Sequence, residues 1–314
     1  MEKRTHVLVT GASGFLGKNV IPLLEEQGYI VQTLGRGGAP FPHLTHHTAD
    51  ASVEIPVSAV ENADAIVHLA SDVAIAKSIQ EPAEHIKTNL SMTLSVLEAC
   101  KKTGRKPLFI YISTDRVYGK ATNTVDEESS VFPVEPYVAA KLMSETAVAT
   151  YAHLLDMPYA IIRTSAVFGA FQPRRGFISD MICKMLEQDS ITVGPLQGVK
   201  NFTYASNFAD SILRLLEAPP SVLNRIYNIG GNPHSLNQML EGVRAIIERQ
   251  DGKTITVNID ESIKIPDKHD IGPFTLSTQA AREKLGWKEM VSLEEGLEKT
   301  INYFRETLKN PSSR

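Results

Sequence analysis

Cysteine is scarce in this sequence. Cys100 and Cys183 are the two present in 314 residues. They show no CxxC spacing and are too few for a disulfide framework, so a reducing compartment, the cytoplasm, is expected. Long apolar runs are missing: no stretch could span a bilayer, and residues 1–4 lead into a candidate strand without the apolar core of a signal peptide. Dense basic blocks are missing too. The net charge of −4 speaks against a nucleic-acid partner and against an anionic membrane surface. No internal repeat and no low-complexity segment occurs. With 42% hydrophobic and 22% charged residues, the composition is that of a globular chain with core enough for one large domain or two.

What is present starts with an apolar run, Val7-Leu8-Val9, that breaks into a turn punctuated by Gly11, Gly14 and Gly17, with Ser13 between them. An apolar-periodic segment beginning Phe15-Leu16 follows. Strand, glycine turn and helix in that order make a cradle for a pyrophosphate. Glycines admit the anion to the backbone, and the helix N-terminus offers unpaired N–H groups and a favourable dipole. The spacing is GxxGxxG, not the GxGxxG of the usual dinucleotide fingerprint.

The same rhythm continues along the chain. After Gly28 a β-rich run covers 29–34 and ends in a loop over 35–40. Residues up to about 61 are poorly patterned, and His43, His46 and His47 within them read as exposed loop histidines, since no cysteine or paired carboxylate joins them. Short continuous apolar runs at 65–70, 108–112 and 159–163 read as strands covered on both faces. Helices are expected over 82–102 and from Pro136 to about 155, proline being favoured in a first turn. Alternation of this kind predicts an α/β fold, a doubly wound parallel sheet with ligands at the carboxyl ends of its strands. From about Phe171 the pattern loosens into short strands and helices, including helices from Ser235 and over 293–308. The expected division is a dinucleotide-binding domain over 1–172, with 199–231 packing back on it, and a smaller mixed α/β substrate-binding region over 173–198 and 232–314.

Chemistry enters at Ser113-Thr114, where the 108–112 strand ends, and at Tyr137 and Lys141 on the following helix. A spacing of i, i+4 puts Tyr137 and Lys141 on one helical face. A phenol with a reference pKa near 10 is a poor acid–base group at neutral pH, but an adjacent ammonium and an oxidised nicotinamide stabilise its phenolate. A strand-end hydroxyl can then hold the reacting oxygen while a proton and a hydride move.

These motifs, in this order, resemble the extended short-chain dehydrogenase/reductases, specifically the NAD-dependent epimerase/dehydratase group. Nearly the whole chain takes part. The run from Thr10 to Gly17 is similar to its cofactor motif, and Val67-His68-Leu69-Ala70 to its fourth strand. Asn89 stands at its active-site asparagine. The run from Ile112 to Gly119 is similar to its active-site loop, and Tyr137-Val138-Ala139-Ala140-Lys141 to its catalytic pair. The runs at 163–169, 201–204, 227–231 and 285–287 match later landmarks. The resemblance implies that Tyr137 is the acid/base, that Lys141 orients the nicotinamide ribose, and that Thr114, alone or with Ser113, binds the substrate oxygen. It implies cofactor contacts from Gly11, Ser13, Gly14, Phe15, Leu16, Gly17, Asp50, Ala51, Leu69, Ala70, Ser71 and Asn89. It also implies a homodimer formed through helices at 86–102 and 137–155.

Three departures modify that picture. Where an NAD-preferring site carries an acid at the end of its second strand, this chain has Gly35 followed by Arg36, which favours NADP(H) over NAD(H). Where 4,6-dehydratases of the family carry Asp-Glu, it has Asp115-Arg116, and a guanidinium cannot be the base for elimination. Of the arginines that contact a nucleotide-sugar diphosphate, one is replaced by Lys200 and the other is not evident after Asp270, although Arg174 and Arg175 could supply charge. Asp115, Arg116 and Lys200 are then the candidate substrate contacts, and no metal site is expected. The expected activity is an NAD(P)-dependent oxidoreductase or epimerase at a secondary alcohol or ketone of a nucleotide sugar, a 4-keto reductase ahead of a C4 epimerase. Alternatives are a dihydroflavonol-reductase-like enzyme of small carbonyls and a non-catalytic dinucleotide-sensing scaffold.

Overall fold

The computed structural model describes residues 5–174, 176–196, 198–263 and 274–309. In chain order the strands are β1 (His6–Thr10), β2 (Ile30–Gly35), β3 (Thr45–Thr48), β4 (Ala65–His68), β5 (Leu108–Thr114), β6 (Thr124–Val125), β7 (Tyr159–Thr164), β8 (Ala166–Phe168), β9 (Ser190–Val193), β10 (Val199–Tyr204), β11 (Arg225–Ile229), β12 (Pro233–Ser235), β13 (Thr256–Ile259) and β14 (Thr275–Leu276). The helices are α1 (Phe15–Glu26), α2 (Ile75–Gln80), α3 (Pro82–Thr103), α4 (Pro136–Leu155), α5 (Phe177–Glu187), α6 (Ala205–Leu216), α7 (Leu236–Asp251), α8 (Gln279–Leu285) and α9 (Leu293–Lys309).

Seven strands form one parallel sheet in the order β11-β7-β5-β4-β1-β2-β3. Alternate side chains along each strand feed two cores. Val7, Val9, Ile110 and Ile112 pack with Ile21 and Leu24 of α1 and Phe208 and Ile212 of α6. Leu8, Ile66, Phe109 and Tyr111 pack on the other face with Val96 and Leu97 of α3 and Val148 of α4. Both faces are covered, which is why these strands read as unbroken apolar runs. Each such side chain contributes about 1.5–3 kcal/mol by leaving water. The strand order reverses between β1 and β4, and there the helices diverge and open a crevice at the carboxyl ends of the strands.

The poorly patterned stretch after β2 contains an element not expected there. β3 adds an edge strand to β2 in parallel register. His46 and His47 are consequently half-buried rather than loop residues, Nδ1 of His46 lying 2.9 Å from the Thr33 hydroxyl and Nε2 of His47 3.0 Å from Gln32. Its outward side chains are polar and find polar partners on β2, so no apolar alternation marks the strand. His43 is exposed, as expected. Among the described residues no group of three or more His, Cys, Asp or Glu could hold a metal ion.

A third core lies beyond β7. Ile178 and Ile182 of α5, Leu240 and Ile247 of α7 and Ile301 and Phe304 of α9 pack with Phe168 and Phe202. α7 starts at a capping box: the Ser235 hydroxyl accepts from the Gln238 amide at 3.0 Å and the Gln238 side chain accepts from the Ser235 amide at 2.8 Å. α6 returns to the first core against α1, fastened by the buried Trp287, whose Nε1 donates to the Asn207 carbonyl at 2.8 Å. β10 pairs with β8 through residues 202–204 and with β12 through Lys200, opposite His234, and Lys200 is close enough to Asp115, just past the end of β5, for its charge to act there. Among the described residues no helix is long and apolar enough to cross a membrane.

Candidate active site

The glycine turn builds a cleft from backbone. Gly14 occupies the N-cap of α1 without a side-chain cap, and the first turn carries no acidic residue. The leading N–H groups and the positive end of the dipole are thereby left for an anion. Gly11 has φ +70°, and a Cβ there would stand 2.8 Å from the Ala70 nitrogen. A Cβ on Gly17 would stand 2.6 Å from the Ala12 carbonyl, so that glycine lets α1 close onto the turn. The cleft has a volume of about 210 Å³. Gly11, Ser13 and Gly14 form its floor, and Arg36, Asp50 and Ala51 its far side. Leu69, Ala70 and Ser71 close it from the end of β4. Phe15, Leu16 and Gly17 lie in the first turn of α1 behind that floor.

Asn89 lies one step away, as a clamp. Its Oδ1 accepts from the Ser71 hydroxyl at 2.8 Å and the Asp72 amide at 2.9 Å, holding the loop that lines the cleft. Asp50 is held below the usual carboxyl range by the Ser52 hydroxyl and amide, with a smaller pull from Arg36. Met92 also lines the cleft. Nothing in the sequence marks it, because an apolar residue on the α3 stripe reads as core.

The second part of the site lies where β5 runs into the turn 115–118 and meets the start of α4. Tyr137 is buried, packed with Val117 and Tyr118 of that turn. Lys141 is buried one helical turn on; its Nζ donates to the Ile112 carbonyl at 2.7 Å and lies 6.0 Å from the Tyr137 ring centre. Burial pushes the Lys141 ammonium down to about 8, against the pull of Glu145. Burial raises the Tyr137 phenol, and the charge of Arg116 acts against that rise. Thr114 caps the turn, its hydroxyl accepting from the Arg116 amide at 3.3 Å. The Ser113 hydroxyl is directed elsewhere, donating to Glu145, which is paired with Arg163 at 2.8 Å.

Asp115 and Lys200 come together from distant parts of the chain. Burial pushes the Asp115 carboxyl up to about 6, while Lys200 and Arg116 hold it down. Arg116 donates to the buried Glu135. Arg174 is exposed and paired with Glu187 at its two terminal nitrogens, one at 2.7 Å. Arg175 and residues 270–273 lie outside the described residues. Glu135, Glu145 and Arg163 join the site without a mark in the sequence. So do His68, pushed down to about 3 by burial and then by Lys141, and His85, buried with its ring edge-on to Tyr137 at 6.2 Å. His68 and Arg163 stand in runs similar to the family's, but nothing local marks any of the five as part of the site; only the fold brings them together.

A Rossmann-type sheet with a glycine cleft at its reversal point and a buried Tyr–Lys pair beside it defines a short-chain dehydrogenase/reductase of the extended type. The chain belongs to the NAD dependent epimerase/dehydratase family, matching it over residues 7–230. It is similar to the UDP-glucuronate 4-epimerase of Thermodesulfobacterium geofontis, 29% identical over 78% of this chain and 73% of that one. It is also similar to the dTDP-glucose 4,6-dehydratase of Xanthomonas campestris, 25% identical over 95% of this chain and 92% of the other. Among solved structures, the UDP-glucose 4-epimerase of Thermotoga maritima with UDP-glucose matches with a TM-score of 0.84 at 27% identity, over 97% of this chain and 100% of that one. The family's cofactor is a nicotinamide dinucleotide. The cleft fits one: its floor is uncapped helix N-terminus, and Arg36 and Asp50 give it a charged lining.

Proposed function

We propose that this protein is an NAD(P)-dependent oxidoreductase acting at a secondary alcohol or ketone of a nucleotide-activated sugar, a 4-keto reductase ahead of a C4 epimerase. The observation that carries the reading is the buried Tyr137–Lys141 pair beside the Thr114 turn, next to the glycine cleft. When bound, the dinucleotide supplies the hydride acceptor or donor. Gly11, Ser13, Gly14 and the leading amides of α1, at Phe15, Leu16 and Gly17, would hold its pyrophosphate. Ala51, Leu69, Ala70 and Ser71 would line it, Asn89 would hold that lining, and Lys141 would bind the nicotinamide ribose. Tyr137 passes a proton to or from the substrate oxygen, Thr114 donates a hydrogen bond to that oxygen, and the Lys141 ammonium favours the phenolate. Ser113 serves indirectly, by fixing Glu145. Asp115, Arg116 and Lys200 would face the sugar nucleotide.

Arg36 beside Gly35 favours NADP(H), since a guanidinium suits a 2′-phosphate and the end of β2 carries no carboxylate to take a 2′-hydroxyl. That choice in turn favours the reductase, which exchanges its nucleotide at each turnover. No elimination step is assigned, because Arg116 stands where a base would be needed and is held by Glu135. A reductase of small non-nucleotide carbonyls is the second reading, favoured by the pairing of Arg174 with Glu187, which engages a cation that a diphosphate would need. We further infer a homodimer through α3 and α4, of which α4 exposes Met143 and Leu154. The buried free cysteines suit a reducing compartment, the cytoplasm on this reading.

The test is a panel of UDP- and dTDP-sugars and their 4-keto forms, run with NADPH and with NADH. Stoichiometric loss of reduced nucleotide marks a reductase. Interconversion of 4-epimers without net loss marks an epimerase, and a 4-keto-6-deoxy product a dehydratase. Turnover confined to small carbonyls would overturn the sugar-nucleotide assignment.

A further inference from the structure

Arg116 and Glu135 lie in the site without a share in the proton transfer itself. Arg116 is two residues after Thr114, and Glu135 is two residues before Tyr137. Each partner therefore sits on the same short segment as one of the two hydroxyls. The Arg116 guanidinium donates to Oε1 of Glu135. The Glu135 side chain is wholly buried, and that of Arg116 is 17% exposed. Pro136 keeps Glu135 extended, with φ −138° and ψ 151°. A side-chain oxygen at this N-cap position ordinarily accepts from the first amides of its own helix. Glu135 makes no such bond and turns to Arg116 instead. Its second oxygen has no hydrogen-bond partner among the described residues. An apolar pair would fasten the turn without desolvating two charges, so fastening alone does not account for an ion pair here.

We propose that the Arg116–Glu135 pair is a positioning device for Tyr137, tying the Thr114 turn to the first turn of α4 and setting opposed charges beside the phenol. The inference rests on Tyr137 as the proton-transferring group. The groups around that phenol are Arg116 and Asp115 from the turn, Glu135 and Lys141 flanking it on α4, Tyr111 from β5 and His85 from α3. Of the charges, Arg116 eases loss of the Tyr137 proton, whereas Asp115 and Glu135 resist it. The two members of the pair therefore act on one proton with opposite signs.

Opposed variants test this. Full-length protein carrying fluorotyrosine is titrated by fluorine NMR with and without NADP⁺, the Tyr137 signal being identified by its loss in Tyr137→Phe. Arg116→Met is expected to raise the midpoint and Glu135→Gln to lower it, each by roughly tenfold in proton affinity. The double variant falls between them. Shifts of both single variants in one direction, or of neither, overturn the proposal and leave the pair a fastening only. Should Arg116→Met, which strands a buried carboxylate, fail to fold, Glu135→Gln decides alone, because Arg116 keeps its access to water. Its lowered midpoint supports the proposal and an unmoved one overturns it. Full turnover by Tyr137→Phe would instead sink the acid–base assignment, a result the titration does not depend on.

Discussion

Around Gly14 the protein offers a ligand mostly backbone, with Arg36 and Asp50 at the edge where water reaches them. Between β5 and α4 it encloses Tyr137, Lys141, Glu135, Glu145 and Arg163, all of them buried. The first region holds an anion with amides that are unpaired by geometry, so it needs little charge and puts little under strain. The second must move a proton, so it keeps ionisable groups where solvent cannot level their affinities. A side-chain change should therefore cost much at the turn and little at the cleft, and the cleft should be sensitive where its backbone is crowded.

The largest effect is expected at Tyr137. Tyr137→Phe should leave nucleotide binding intact and lower turnover by roughly 10²–10⁴-fold, the size of a general acid–base contribution. Steady-state kinetics with nucleotide titration checks both halves. Next comes Glu145→Ala, which leaves Arg163 buried and Ser113 without its acceptor. Breaking a buried pair in this way costs about 3–5 kcal/mol, to be read from urea unfolding. At the cleft, Gly17→Ala should cost about 1–3 kcal/mol, because the added methyl meets the Ala12 carbonyl at 2.6 Å and α1 must shift. If Gly17→Ala cost more than Glu145→Ala, the contrast between the regions would be reversed.

Much of the first region was legible along the chain. Glycine spacing and apolar runs are local, and they located β1, α1 and the cleft floor. The Tyr137–Lys141 face was legible for the same reason, since α4 begins at Pro136 as expected. Partners that meet only through the fold were not. Glu145 reaches Ser113 across 32 residues and Arg163 across 18, and nothing near Glu145 distinguishes it from a surface carboxylate of a helix. β3 is not legible because its pattern is polar, and Met92 is not because a cleft wall and a core stripe look alike in sequence.

Asp115 gives a smaller effect with a definite sign. Its carboxyl stands at about 6 when folded and near 3.9 when unfolded. Between those values folding takes up a proton, so this group's stabilising contribution is complete below the unfolded value and is lost as pH rises toward about 6. In Asp115→Asn that fall should disappear, a difference on the order of 1 kcal/mol once partial exposure is discounted. Urea midpoints compared across that window for both proteins measure it, and parallel curves would show that Asp115 is not the group responsible.

The smallest effect is expected at Arg36, and there the cleft's reliance on backbone is tested most directly. Arg36 is exposed, and Asp50, ionised through Ser52, lines the same cleft and would repel a 2′-phosphate. The two charges oppose each other in the choice of nucleotide, and solvent screens both. An exposed guanidinium-to-phosphate contact is therefore expected to contribute about 1 kcal/mol, or roughly fivefold in affinity. Arg36→Ala should weaken NADPH by about that factor and leave NADH unchanged, because the amides of α1 hold the pyrophosphate common to both. Asp50→Asn should move the ratio the other way by a similar amount. Calorimetric titration of both nucleotides into the three proteins measures this directly. Preference for NADH in the parent chain, with no response to Arg36→Ala, would overturn the NADP(H) assignment and remove the reason for placing reductase ahead of epimerase.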